Sequence, residues 1–325
     1  MRSPSSRPFQ RGRFADLPET PRRAHRFFDL SEERVVVDST PFGRVGISYR
    51  ACGAGEPLLL VHGLMTTSYS WRYVVDELAR TRRVIAIDLP GCGRSDKPRD
   101  ARYGAPELAH FLVELAGALA IRGCSVVGNS MGGYLCMRAA LLDRGAFGRV
   151  VNIHSPGVPD WRYRVLGGAL ATPGVAAALS WWIRRAPQRW AHRNVHYFDE
   201  TLKSLEEAAE YGDPLASSDG ARAFIGYLKD AFAPRDVAAF VAELASRRQA
   251  GQPFPVPLLL LYSRQDPLVP PSVGERLHEL LPDAPLVWLE STSHFAHVDT
   301  PEAVLGALVP FLDATTATRA ASNQG

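Results

Sequence analysis

Apolar runs broken by polar turns divide the chain into recognisable elements. Val35-Val36-Val37 and Arg44 to Arg50 are short β-type runs separated by Pro41 and Gly43, which predicts an antiparallel pair. Leu58-Leu59-Leu60-Val61 is a continuous apolar run, as expected of a strand buried on both faces. Val84-Ile85-Ala86-Ile87, Ser125-Val126-Val127 and Val150-Val151-Asn152-Ile153 read the same way. Between them, helical spacing predicts helices over 71–80, 106–121 and 131–142. Pro106 suits a first helical turn. Strands alternating with helices imply an α/β fold with a mostly parallel sheet and right-handed crossovers.

From Ser155 to about Gln252 the alternation stops, and the text is helical and Trp-rich. It resumes with Leu258-Leu259-Leu260-Leu261, a helix near 272–281, the strand Leu286-Val287-Trp288-Leu289 and a last helix over 301–312. A helical insert inside an α/β core predicts a cap. Val165 to Ile183 carries no charge and just reaches membrane-spanning length. Pro173-Gly174 should break it into two short helices, expected to be buried or to line a pocket. Contact with a membrane through Trp181 and Trp182 is the lesser alternative.

Composition adds little to this picture. Hydrophobic residues make up 46% and charged residues 22%, which excludes a wholly disordered chain and leaves ample material for a core. The net charge is +3. Residues 1–30 hold seven arginines against Asp16, Glu19 and Asp29, a local +4 that leaves −1 for the rest. A nearly neutral body gives no general basic face for nucleic acid. The basic segment reads as a solvated, disordered tail. Cys52, Cys92, Cys124 and Cys136 are scattered without a C-x-x-C pair, so reduced packing cysteines and no metal site are expected. No apolar signal segment follows the N-terminal charges, which points to a cytoplasmic location.

The strongest chemical signal is Gly128-Asn129-Ser130-Met131-Gly132, between a buried strand and a helix. It matches G-x-S-x-G, whose tight turn lifts a serine above the sheet at a helix N-terminus. A helix N-cap is the plainer role for such a serine. A serine nucleophile needs a base and an acid, in the chain order Ser, acid, His. That order selects His294 or His297 as base, with His294 preferred because it comes first after the strand. It selects Asp266, after the run 258–261, as the acid that orients the imidazole. Asp299 and Glu302 read as caps for the last helix. Backbone N–H groups of Met131 and Leu64 are the expected oxyanion donors. Gly91-Cys92-Gly93 starts a nucleotide-loop pattern, but Asp96 stands where the third glycine belongs, so it reads as a structural turn.

Taken together these residues resemble the α/β-hydrolase fold family. The matching marks are the Ser130 elbow, His62-Gly63, Asp88 to Ser95, Arg264-Gln265-Asp266 with Pro270, and Ser293-His294 with Pro301-Glu302. The resemblance implies an eight-stranded, mostly parallel sheet flanked by helices, with a helical cap inserted after the sixth strand. Tyr69-Ser70-Trp71-Arg72 also resembles the haloalkane dehalogenase and epoxide hydrolase branch. That branch uses an aspartate nucleophile where this chain has Ser130. Gly-Asn-Ser-Met-Gly-Gly resembles the elbow of hydrolases that cleave carbon–carbon bonds in ring-fission products, although Leu64-Met65-Thr66-Thr67 departs from their glycine- and proline-rich turn.

The expected organisation is a tail over 1–30, core over 31–155, cap over 156–252, core over 253–315 and a second disordered tail over 316–325. The expected activity is cofactor-independent hydrolysis of small-to-medium apolar carboxylic esters through an acyl-enzyme. Trp161, Trp181 and Trp182 are expected to wall the substrate pocket, with no metal and no nucleic acid, and with membrane contact only as the lesser alternative. Carbon–carbon or lactone hydrolysis, acyl transfer, and a non-catalytic binding protein are the alternatives.

Overall fold

Each apolar run becomes a strand of one sheet. The computed structural model of the protein describes residues 8–314. Its strands are β1 (Ser31–Ser39), β2 (Gly43–Cys52), β3 (Glu56–Val61), β4 (Arg82–Ile87), β5 (Cys124–Asn129), β6 (Phe147–Ile153), β7 (Leu258–Ser263) and β8 (Leu286–Leu289). They lie in the order β1-β2-β4-β3-β5-β6-β7-β8. β1 pairs antiparallel with β2, and β2 antiparallel with β4, while the remaining pairs are parallel.

The core helices are α1 (Val75–Leu78), α2 (Ala105–Ala118) and α3 (Met131–Leu142). Between β6 and β7 come the cap helices α4 (Trp161–Ala171), α5 (Val175–Arg185), α6 (Pro187–Asn194), α7 (Leu205–Gly212) and α8 (Ser218–Asp230), and then α9 (Pro234–Gln249), which lies within the expected cap but packs Val237, Phe240 and Leu244 into the core. The core then closes with α10 (Pro271–Leu280), α11 (Ala296–Asp299) and α12 (Pro301–Asp313). The helix expected over 71–80 is shorter: a 3-10 turn over Ser68–Trp71 precedes the single turn α1.

Strand residues of opposite parity feed two cores, because side chains alternate across a sheet. Leu59, Val61, Ile85, Ile87, Val126 and Leu260 pack beneath α2, α3, α9 and α10. Leu58, Leu60, Val84, Val127 and Leu261 pack on the other face with Trp71, α1 and α12. This is why the strands read as unbroken apolar runs.

The strand order reverses direction at β3. From β3 the chain steps to β4 on one side and then to β5 on the other. The carboxyl ends of β3 and β5, in register at Val61 and Gly128, therefore flank a crevice where open α/β sheets bind ligands.

The N-terminal segment departs from the expected disordered tail. Residues 1–7 and the expected C-terminal tail 316–325 lie outside the described residues, but residues 8–30 run as a strap over the cap. Phe9 N–H donates to the Phe198 carbonyl at 3.0 Å. The Pro18 and Glu19 carbonyls accept from Leu205 and Glu206 N–H at 2.8 and 2.9 Å. Those donors open α7 and have no partner within the helix. Ser204 Oγ takes the next one, Glu207 N–H, at 3.1 Å. Phe27 is buried against Tyr69, Tyr197 and Phe295. Satisfied backbone and one buried anchor order a segment that has no apolar period of its own.

Candidate active site

Ser130 stands at the β5–α3 turn with φ 55° and ψ −122°, a conformation that non-glycine residues rarely adopt. The turn holds because nothing crowds it. A Cβ on Gly128 would overlap the Gly132–Gly133 backbone, and one on Gly132 would overlap the Val61 and His62 carbonyls. Ser130 N–H donates to the Ile153 carbonyl of β6 at 2.7 Å, and its own carbonyl accepts the first bond of α3 from Tyr134 N–H at 3.1 Å.

The loop after β8 is tied to this elbow. Asn129 Nδ2, one residue before the serine, donates to the His294 carbonyl at 3.0 Å. His154 Nδ1 donates to the same carbonyl at 3.2 Å. From the end of β7, the Asp266 carboxylate accepts from His294 Nδ1 at 2.6 Å. Its second oxygen accepts from Leu268 and Val269 N–H at 2.7 and 2.9 Å. A carboxylate only accepts here, so Nδ1 is the donor, and in the neutral imidazole Nε2 is the nitrogen with a free lone pair. Burial works to raise the Asp266 pKa, but the imidazole and these hydrogen bonds outweigh it and hold the carboxyl below its ordinary value. Ser130, Asp266 and His294 are all buried, at 7%, 7% and 4% exposure, beneath the cap.

On the β3 side, a Cβ built on Gly63 would stand 3.0 Å from Ser130 Cβ, so the His62-Gly63 turn lies directly beside the serine. The Gly63 carbonyl accepts from His62 Nδ1 at 2.7 Å and from Thr66 Oγ1 at 3.1 Å. In a trans peptide this turns the Leu64 N–H to the opposite side. Met131 N–H, at the first position of α3, has no intrahelical acceptor. His62 Nε2 accepts from Leu89 N–H at 3.0 Å, so this ring is a structural brace, and burial pushes its pKa down.

His297 is in a different setting. It is fully buried with its ring 4.3 Å from that of Trp71, and neither nitrogen has a hydrogen-bond partner among the described residues. Asp299 does not cap the last helix as expected. Its oxygens accept from Phe198 N–H at 2.9 Å and Ser293 N–H at 2.7 Å, bracing the His294 loop against the cap.

A family model described as the alpha/beta hydrolase fold matches residues 56–301. The chain belongs to the alpha/beta hydrolase fold family. It is 26% identical over 257 residues to an uncharacterised hydrolase of Bacillus subtilis, covering 79% of this chain and 90% of that one. It is 28% identical over 250 residues to a 2-hydroxymuconate semialdehyde hydrolase of Pseudomonas sp., covering 76% and 83%. A crystal structure of an alpha/beta hydrolase fold protein from Burkholderia ambifaria superposes with a TM-score of 0.66 at 24% identity, over 88% of this chain and 100% of that one.

Three expected pocket residues of this hydrolase are not brought to the site. Trp161, Trp181 and Trp182 are 70%, 62% and 49% exposed. Trp161 lines an outer cleft of 450 Å³ that Asp266 also borders. The cap presents other residues to the Leu64 turn: Ile183, Leu215 and Phe224 are buried, and Leu179, Trp190, Leu64 and Met65 pack against them. On α5, Leu179 and Ile183 are four residues apart and share the inward face, while Trp181 lies roughly opposite. The i, i+4 spacing of the aliphatic pair, and not the aromatic residues, marks the inward face. Asn129 and Asp299 were also missed, because each acts on a backbone group far away in sequence.

Proposed function

We propose that the chain is a cofactor-independent serine hydrolase of small-to-medium apolar carboxylic esters, with Ser130 as nucleophile, His294 as base and Asp266 as orienting acid. The observation that carries this reading is the 2.6 Å Asp266–His294 hydrogen bond on a loop that Asn129 ties to the serine elbow. Ser130 Oγ attacks the ester carbonyl carbon while its proton passes to His294 Nε2. The oxyanion receives hydrogen bonds from Leu64 and Met131 N–H. As the tetrahedral adduct collapses, the leaving alkoxide takes the proton from Nε2. Water then attacks the acyl-enzyme and gives its proton to Nε2, and the acid departs as Ser130 regains its hydrogen. The apolar cluster of Leu179, Ile183, Trp190 and Phe224, packed on the Leu64 turn, supports an uncharged substrate. The four free cysteines support a cytoplasmic setting.

Carbon–carbon hydrolysis of ring-fission products is the second reading. It is favoured by the Pseudomonas relative named for 2-hydroxymuconate semialdehyde. Labelling with a fluorophosphonate tests the nucleophile: the wild type is expected to gain the probe mass and Ser130→Ala to gain none. A folded wild type that never labels overturns the reading. Turnover of p-nitrophenyl esters against a 2-hydroxy-6-oxo-dienoate separates the two substrate classes.

A further inference from the structure

Five of the nine large apolar residues most exposed on the described chain lie on one helical hairpin: Trp161, Val165, Val175, Trp181 and Trp182. The hairpin is α4 and α5, bent by 96° at Thr172-Pro173-Gly174. Its inner side is occupied, because Leu179 and Ile183 sit on Phe224 and Leu228 of α8. Its outer side is left largely to solvent, apart from Trp182, whose ring meets that of Trp190 of α6 edge-on at 5.2 Å. The sequence favours a buried or pocket-lining pair over membrane contact through Trp181 and Trp182, and the outer face of the pair is exposed.

Charge completes the pattern. Between Asp160 and Asp199 the chain has six arginines and no carboxylate side chain. Arg162, Arg164, Arg184, Arg185, Arg189 and Arg193 are all exposed. Arg162 pairs with Asp160, while the other five make no salt bridge among the described residues. Two guanidinium groups lie at the tryptophans themselves: Arg185 stands 5.5 Å from the Trp181 ring and Arg193 5.7 Å from the Trp182 ring.

We propose that the outer face of the α4–α5 hairpin is a docking surface for an anionic lipid bilayer. Tryptophan prefers the headgroup level, where its ring is half in hydrocarbon and its N–H in water. Arginines around it meet lipid phosphates. The hairpin rests in the interface and does not span it. Each arm has 11 residues, about 16 Å at the helical rise per residue, against a hydrocarbon core of about 30 Å. A second copy of the chain fits this face poorly, since a two-fold contact would set six arginines against six.

Co-sedimentation of the full chain with vesicles tests the proposal, and it reads binding alone, independently of Ser130 chemistry. The wild type is expected to bind vesicles of phosphatidylcholine mixed with phosphatidylglycerol, to bind phosphatidylcholine alone far less, and to release as salt rises. Trp181→Ser should lower partitioning by roughly tenfold. Arg184→Gln with Arg185→Gln should lower it by a similar factor on anionic vesicles only. Leu142→Ser, which removes an exposed apolar residue elsewhere, should bind like the wild type. A wild type that ignores anionic vesicles at low salt overturns the proposal. So does a Trp181→Ser protein that binds unchanged, or a wild-type dimer by light scattering that Trp181→Ser converts to monomer.

Discussion

Ser130 occupies a backbone conformation that costs about 1–3 kcal/mol for a residue with a Cβ. Three neighbouring glycines and the Ile153 carbonyl hold it there. Asp266→Asn should leave this geometry intact yet lower kcat by about 10⁴-fold, because an amide can hold the wrong imidazole tautomer. Steady-state kinetics on a p-nitrophenyl ester will check it. His294→Ala should abolish fluorophosphonate labelling while His297→Ala keeps it, since His297 stacks on Trp71. The reverse result would move the base to His297. At this scale the sequence was legible wherever residue type and chain order suffice: serine in a glycine turn, then acid, then histidine. It was not legible where one side chain serves a remote backbone group. Asn129 reads as the polar end of a strand, yet its amide reaches the carbonyl of residue 294. Asp299, two residues before Pro301, looks like a helix cap and instead braces the loop of His294.

Among the described residues, a buried ion pair joins the cap to the core. Arg72, from the turn after β3, donates to Glu207 of α7 at 2.6 Å with both side chains almost fully excluded from water. Tyr197 O–H donates to the same carboxylate at 2.6 Å, and the Arg72 guanidinium lies 4.4 Å from the Tyr69 ring. Removing one partner strands the other charge without water. Arg72→Met should therefore cost about 3–5 kcal/mol, read from the midpoint of chemical denaturation, and should speed proteolysis within the cap. Strands were legible because a sheet buried on both faces leaves unbroken apolar runs. The hairpin α4–α5 was legible as two helices, since Pro173-Gly174 must break it. Its orientation was not, because both of its faces carry apolar side chains.

Over the whole molecule, three buried histidines each take stability away in acid. His62, His154 and His297 are buried and neutral, each pushed below the ordinary imidazole value chiefly by burial. For His154 the folded value falls from 6.5 to about 4. Between those values the unfolded chain binds a proton that the folded chain refuses, so stability falls as pH is lowered through that window. His154→Gln should flatten the dependence of unfolding free energy on pH there, by about 1.4 kcal/mol per pH unit at most. Denaturant titrations at several pH values will show it. The strap has a different consequence, in time. Residues 9–19 leave the ribosome nearly 190 positions ahead of their hydrogen-bond partners at residues 198–206. The strap must wait unclasped until those cap residues have been made, and its closure onto them follows the folding of the cap.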